Sequence, residues 1–340
     1  MLVQLVYNNF FDMKSLFINA FFVLVSGTLL AQPDINGGPV NVPADGIIDG
    51  VFIQEHIPTK RMIPYEFIRE ADVIWSKRVW ESIDMREKIN HPMYFPFDEY
   101  DAASNWVRNT SRWSLWTVLK THVMNGDIRV FSPTNPADYT IEDGDMLKYP
   151  IDPQPGLNYE TDSVFRTAVA PFFCTVKKST VAKTDENGEE VVDAAGNTVY
   201  LPDDTTWYVT KDIIQFRMKE DWFFDKERSV LDVRIIAIAP VVYKKDDQGQ
   251  IQGMSELFWL YFPHCRFVLN NYFVYNDKND AQWMSFDDLF WKRRFTSVIY
   301  KESNVFDRKM ETYKSGVDAL FEAEKVKEEI RTIEHDVWTF

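Results

Sequence analysis

Tyr65-Glu-Phe-Ile-Arg-Glu-Ala-Asp-Val-Ile-Trp75-Ser-Lys-Arg-Val-Trp80-Glu-Ser-Ile-Asp-Met-Arg-Glu-Lys-Ile-Asn90 is the stretch whose reading decides the fold. Taken at about 100° per residue it is a long helix, with Trp75 on one face beside Ile68, Ala71, Val79, Ile83 and Ile89, flanked by Phe67, Ile74 and Met85. Trp80 then lies about 140° from Trp75, next to Val73 and among Arg69, Lys77, Asp84 and Glu87. Arg78, Ser82 and Arg86 fall inside the apolar sector. A helix that only packs would neither bury charge nor expose a tryptophan. The expectation is a two-faced helix, with Trp75 in the core and Val73, Trp80, Asp84 and Glu87 as a contact for another chain, because an exposed tryptophan on a charged face suits an interface hot spot. The other reading buries the whole helix in one subunit and packs Trp80 under a loop. If Arg86 is buried, it needs an acidic partner.

The chain has 340 residues, of which 45% are hydrophobic and 15% aromatic, enough for one large core or two small ones. Its net charge of −15 disfavours nucleic acid and anionic membranes as direct ligands. Met13-Lys14, the apolar run Ser15–Leu30 and Ala31-Gln32 have the basic–apolar–small order of a secretory signal. Residues 1–31 are therefore expected to be removed. Met1–Asp12 carries no basic residue, so Met13 is the alternative start. The run is short for a membrane span, and no later stretch is long and apolar enough for one. Cys174 and Cys265 are the two cysteines. Export would permit a disulfide, but spacing cannot pair them, and buried free thiols are the blander reading.

Residues 32–64 are rich in Pro, Gly, Asn and Asp and read as an extended arm. Its short apolar pieces, Ile47-Ile48 and Val51-Phe-Ile53, could lie on a neighbouring subunit or on the arm's own domain. The core is expected over 65–306. It should hold the long helix, ended by His91-Pro92, and a second helix from Ser111 to Asn125, closed by Gly126. A strand is expected at Asp127–Phe131. From about Val164 β patterns dominate. Thr175–Val181 and Thr198–Tyr200 flank a polar hairpin with turn signals at Asn187-Gly188 and Gly196-Asn197. The strongest hairpin joins Ile213–Phe224 to Val230–Val242 through Asp225–Ser229. Met254–Phe262 reads as a further strand. Helical patterns return over Ser285–Arg294 and Phe306–Ile333, and residues 307–340 read as a charged, solvated helical tail. The fold class is α+β.

Signatures of catalysis are missing: there is no Gly-rich phosphate loop, paired-histidine metal motif or nucleophile elbow. The histidines lack ligand spacing, so no metal and no cofactor is expected. His264-Cys265, read on a strand, would point to opposite faces. Asp98-Glu99-Asp101, Glu142-Asp143-Asp145 and Asp287-Asp288 could serve hydrolysis or bind calcium, but in so acidic a chain solvated surface is the simpler reading. Trp222-Phe-Phe224 and Phe258-Trp-Leu-Tyr-Phe262 could hold peptide or glycan, although strands buried on both faces give the same pattern. Phe290-Trp291-Lys-Arg293-Arg294-Phe295 is the best candidate for a basic docking spot and adds Trp291, Arg293 and Arg294 to the candidate interface.

Trp75-Ser-Lys-Arg-Val-Trp80 followed by Ile83–Asn90, Lys219–Ile236, Asn279-Asp-Ala-Gln282, Phe286-Asp-Asp288 and Tyr300–Arg308 together resemble the gliding-motility family GldN, called PorN in non-gliding relatives. The blocks keep their order from about Ala44 to Arg308. The resemblance implies a non-catalytic, periplasmic subunit of the type IX secretion and gliding apparatus. It implies a ring shared with a GldK/PorK-type lipoprotein at the inner face of the outer membrane. It also implies links to inner-membrane motor proteins of the GldL/PorL and GldM/PorM types, and self-association within the ring. The alternative from the residues alone is a secreted hydrolase or glycan-binding protein.

Overall fold

In a computed structural model, the structure describes residues 62–338 except 102–103, 111, 178, 180–181, 184–197, 199, 201–202, 247–248, 277–278 and 280–282. The secretory-signal and arm expectations for residues 1–61, and the tip of the polar hairpin, lie outside these residues. In chain order the elements are β1 (Val73–Asp84), α1 (His91–Tyr94), β2 (Glu99–Tyr100), β3 (Trp106–Val107), α2 (Leu115–Asn125), β4 (Val130–Phe131), β5 (Pro150–Ile151) and α3 (Ser163–Phe173). There follow β6 (Cys174–Lys177), β7 (Asp204–Trp207), β8 (Ile213–Asp225), β9 (Val230–Lys245), β10 (Ile251–Glu256) and β11 (Trp259–Tyr261). The chain closes with α4 (Phe262–Leu269), α5 (Phe286–Trp291), β12 (Val298–Glu302) and α6 (Val317–Trp338). The fold is α+β: an antiparallel sheet in the order β12-β1-β8-β9-β11-β4-β5, with β10 beside β9, is packed against helices.

The long helix expected over 65–90 is instead the strand β1, preceded by irregular chain. Trp75, Val79 and Ile83 recur every four residues, a spacing that stays on one face of a helix and of a strand alike. The remaining residues favour the strand. Val73, Ile74, Val79 and Ile83 are β-branched and two tryptophans interleave them. Arg78 and Ser82, awkward in the helical projection, turn to the opposite face in a period of two. There Arg78 meets Asp221, its cross-strand neighbour, at 2.6 and 2.7 Å.

The β1–β8–β9 register sorts the side chains into two faces. Trp75, Val79, Glu81 and Ile83 share one face with Phe216, Met218, Glu220 and Trp222. Trp80 shares the other with Arg217, Lys219, Ala237 and Ala239. The first face holds most of the core. At one end Ile83, Phe216, Met218 and Ile238 pack under α2, α3, α4 and α5. At the other, Val79 packs with Ala323, Val326 and Ile330 of α6, so that helix is seated on the sheet rather than being a solvated tail. On the second face Trp80 is buried with Phe131, Ala237, Ala239 and Trp259. A loop covers it, and the indole N–H donates to Asp145 Oδ2 at 2.9 Å. Gly144 lets that loop close, because a Cβ there would lie 2.4 Å from Ser132 O.

The β8–β9 hairpin turns over Asp225–Ser229 as expected, with Asp225 paired to Val230. The α2 helix starts later than expected: Ser114 caps it by accepting from Thr117 N, and Gly126 closes it at φ 83°. Four other expectations are corrected. The strand near Asp127 shrinks to Val130–Phe131, and Phe262 opens α4 instead of ending a strand. The last helix begins at Val317 rather than Phe306. The α3 helix falls where β structure was expected; Asp162 caps it through Val164 N and Phe165 N.

The two tryptophans thus face opposite sides of the sheet, with Trp80 the more deeply buried. Trp80→Ala should cost about 3–5 kcal/mol, the range for a large aromatic removed from a core. Trp75→Ala, only partly buried, should cost less. Urea midpoints of the two variants check this; the opposite order would contradict the strand assignment.

Candidate functional site

The residues that invited a catalytic reading do not converge. Asp98 is buried and accepts Trp106 Nε1 at 2.6 Å and Thr210 N at 2.7 Å. Glu99 meets Lys211 Nζ at 2.5 Å, and Asp101 accepts Asn105 N at 2.8 Å. Glu142 pairs with Lys309, Asp143 with Lys148, and Asp145 with Trp80 and Lys219. Asp287 holds Arg266 through 2.7 and 3.1 Å contacts, while Asp288 N takes the Ser285 cap. Each carboxylate has its own partner and structural task. His264 and Cys265 sit on α4, not on a strand, and burial pushes the Cys265 thiol well above its ordinary range. Both cysteines are buried free thiols. The aromatic runs at 222–224 and 258–262 are largely core.

Two buried charges carry more information. Lys120 on α2 is fully buried in a cage of aromatic rings, with Trp106, Tyr100 and Trp207 at 4.7, 5.0 and 5.3 Å from Nζ. It donates to Tyr100 Oη and Tyr208 O, each at 2.9 Å. Burial lowers its pKa to about 8, with Asp98 opposing. The second site is the centre of the main sheet face. Arg293, just after α5, donates to Glu220 Oε1 at 2.7 Å and Glu81 Oε2 at 3.0 Å, and Ser297 Oγ donates to Glu81 Oε2 at 2.6 Å. Lys327 of α6 holds Ser297 O at 2.8 Å. Glu220 Oε2 and Trp222 Nε1 find no partner in hydrogen-bond geometry, although the indole N–H is near enough to favour the carboxylate. Burial first, then the charge of Glu81, raise the Glu220 pKa to about 7.

Both groups give signed pH effects. A carboxyl whose pKa rises on folding loses its stabilising contribution as pH climbs from the unfolded value through the folded one. Between about pH 4.5 and 7, the stability of the parent minus that of Glu220→Gln should therefore fall. A lysine whose pKa drops on folding is penalised until it deprotonates. Between about pH 8 and 10.5, the parent minus Lys120→Met should therefore rise. Urea titrations across both windows check the signs, and a flat difference in either would remove that group's assigned burial from the account.

The accessible chemistry lies where the described chain starts. Tyr65 stacks on Trp291 with ring centroids 5.6 Å apart and planes at 22°. The Arg266 guanidinium sits 4.3 Å from the Tyr65 ring and 4.9 Å from Trp291. Arg234 of β9 approaches Tyr65 at 5.1 Å and also holds Glu66 O. Burial, opposed by Arg266, pushes the Tyr65 phenol up to about 12. Beside these groups opens a cavity of about 110 Å³, lined also by Val233, Ile235, Phe262 and Phe290 and by the charged Asp232, Asp287 and Arg293. Around the molecule, Phe67, Val305, Phe306 and Phe321 are also large, apolar and exposed. The model of the gliding motility associated protein GldN matches residues 68–339. The chain belongs to the GldN family. No curated protein matches it. No described helix of this GldN-family chain is long and apolar enough to cross a membrane.

The sequence-derived contact residues fare unevenly in this family member. Trp80, expected on a surface, is 4% exposed and lies under the Asp145 loop, because a strand rather than a helix carries it. Arg293 is turned inward to Glu81 and Glu220, so the basic docking spot is reduced to Lys292 and Arg294. Val73 is half-buried at the start of β1, paired with Asp225. Asp84 binds Arg86 at 2.5 Å on the surface, so Arg86 is not a buried charge. Glu87, Arg294 and Trp291 are exposed, but only Trp291 joins the Tyr65 cluster. Sequence reading missed Tyr65, Arg234 and Arg266, which come together only through the fold. Lys120 had a local signal: it is a lone cation among Trp116, Leu119 and Val123.

Proposed function

We propose that this GldN-family chain is a non-catalytic structural subunit of the type IX secretion and gliding machinery. It works in the periplasm, forming a ring with a GldK/PorK-type lipoprotein at the inner face of the outer membrane. In this reading its surfaces couple the ring to GldL/PorL- and GldM/PorM-type motor proteins. The observation that carries it is the contrast between chemistry and surface. Each carboxylate cluster is divided among separate structural pairs, while large apolar residues such as Phe67, Phe306 and Phe321 stay exposed. Family membership supplies the association with gliding. The alternative, a secreted hydrolase or glycan-binding protein, has less support, because the aromatic runs that would grip a sugar are mostly buried.

Pull-down from envelope extracts tests the reading. The tagged chain should recover an outer-membrane lipoprotein and further copies of itself. Phe306→Ala with Phe321→Ala should keep its melting midpoint and lose about tenfold or more in recovered partner, as for truncated hot spots. Retention on glycan resin with no co-purifying protein would reverse the assignment.

A further inference from the structure

The cavity beside Tyr65 has an occupant that the sequence can supply. It is lined by the apolar side chains of Val233, Ile235, Phe262 and Phe290, by the rings of Tyr65 and Trp291, and by the charged side chains of Asp232, Arg266, Asp287 and Arg293. Its volume is about 110 Å³, and an entering aromatic ring would meet the Tyr65 and Trp291 rings and the Arg266 guanidinium. The described chain starts three residues before Tyr65, at Met62. Upstream lies an arm whose apolar piece nearest to Tyr65 is Val51-Phe52-Ile53.

Reach decides where that piece goes. Phe52 to Tyr65 covers about 40–45 Å if extended, at roughly 3.1–3.4 Å per residue. The intervening residues, Ile53-Gln-Glu-His-Ile-Pro-Thr-Lys-Arg-Met-Ile-Pro64, contain no Gly, Asn or Asp to reverse the chain, and their two prolines favour extension. Returning Phe52 to the cavity of its own copy would need such a reversal. A domain of this size has a radius of gyration of about 19 Å, or a diameter of about 48 Å. An arm in extended form would therefore span the distance of about 48 Å between equivalent points on two such domains in contact.

We propose that the cavity beside Tyr65 receives Phe52 from the arm of a second copy of this chain. The contact is head-to-tail, a donor arm into an acceptor cavity, and such contacts generate rings when the rotation closes. This inference rests on the assembly reading above and names one joint within it. The Tyr65 stack anchors the root of the arm, so that the preceding residues leave the body beside the cavity in a fixed place.

The test is photocrosslinking in cells. Phe52 is replaced by p-benzoylphenylalanine in one tagged full-length chain, co-expressed with a differently tagged parent. Irradiation should give an adduct carrying both tags, with the link in the peptides containing Val233–Ile235 or Phe290–Trp291. Phe52→Ala should reduce the share of chain sedimenting with the envelope assembly about tenfold and leave the melting midpoint unchanged. An adduct within one chain, an adduct mapped elsewhere, or unchanged sedimentation of Phe52→Ala overturns the proposal. If no adduct forms while the chain still sediments with the assembly, the arm joint falls and the assembly reading stands. If the chain sediments with nothing, both fall.

Discussion

Arg293 is the constraint on which the rest of the structure depends. The main sheet face carries two apolar clusters, one under α2–α5 and one under α6. Between them sit Glu81 and Glu220, 2% and 0% exposed, on adjacent strands. Two buried carboxylates cannot stand side by side without compensation. Arg293 reaches both, from a residue held at φ 46° immediately after α5. A non-glycine residue in that region carries strain of order 1 kcal/mol or more, which the paired charges hold in place. Because Ser297 and Lys327 extend the network to α6, one guanidinium fixes a strand pair, the α5–β12 connection and the last helix relative to one another.

The opposite face is built by the same means. Lys219 and Arg217 are both nearly buried and are met by Asp145 and Glu256. Trp80 and Trp259 fill the space between them and donate their indole N–H groups to those same two acids. Each face therefore has a polar layer inside its apolar packing. An apolar replacement of such layers is often as stable or more so. What the ion pairs add is a fixed orientation, because a guanidinium between two acids has few alternative geometries.

How much of this was legible follows from what each signal encodes. The β8–β9 hairpin was readable because long apolar strands flank a short polar turn. The α2 helix was readable because a closing glycine bounds its apolar run. β1 was misread because Trp75, Val79 and Ile83 are spaced by four, which helix and strand share; the polar side chains of Arg78 and Ser82 were the discriminating ones. The two-sidedness of Trp75 and Trp80 survived the change, since an odd separation on a strand also reverses the face. Its meaning did not, because whether a face is covered depends on a loop some sixty-five residues away in sequence. The candidate site was the least legible part. Tyr65, Arg234, Arg266 and Trp291 span most of the chain, and no local pattern marks residues that meet only in three dimensions.

The position of that cluster gives the surface its direction. Tyr65 belongs to the incoming chain and Trp291 to the end of α5, two residues before Arg293. The residue that orders the core and the one that stacks on Tyr65 are thus neighbours on a single short connection. From Tyr65 the contacts run by Trp291 and Arg266 into Asp287 and α5, and by Arg293 into β1 and β8. The α5–β12 connection thus ties the Tyr65 stack to the most constrained residue of the interior.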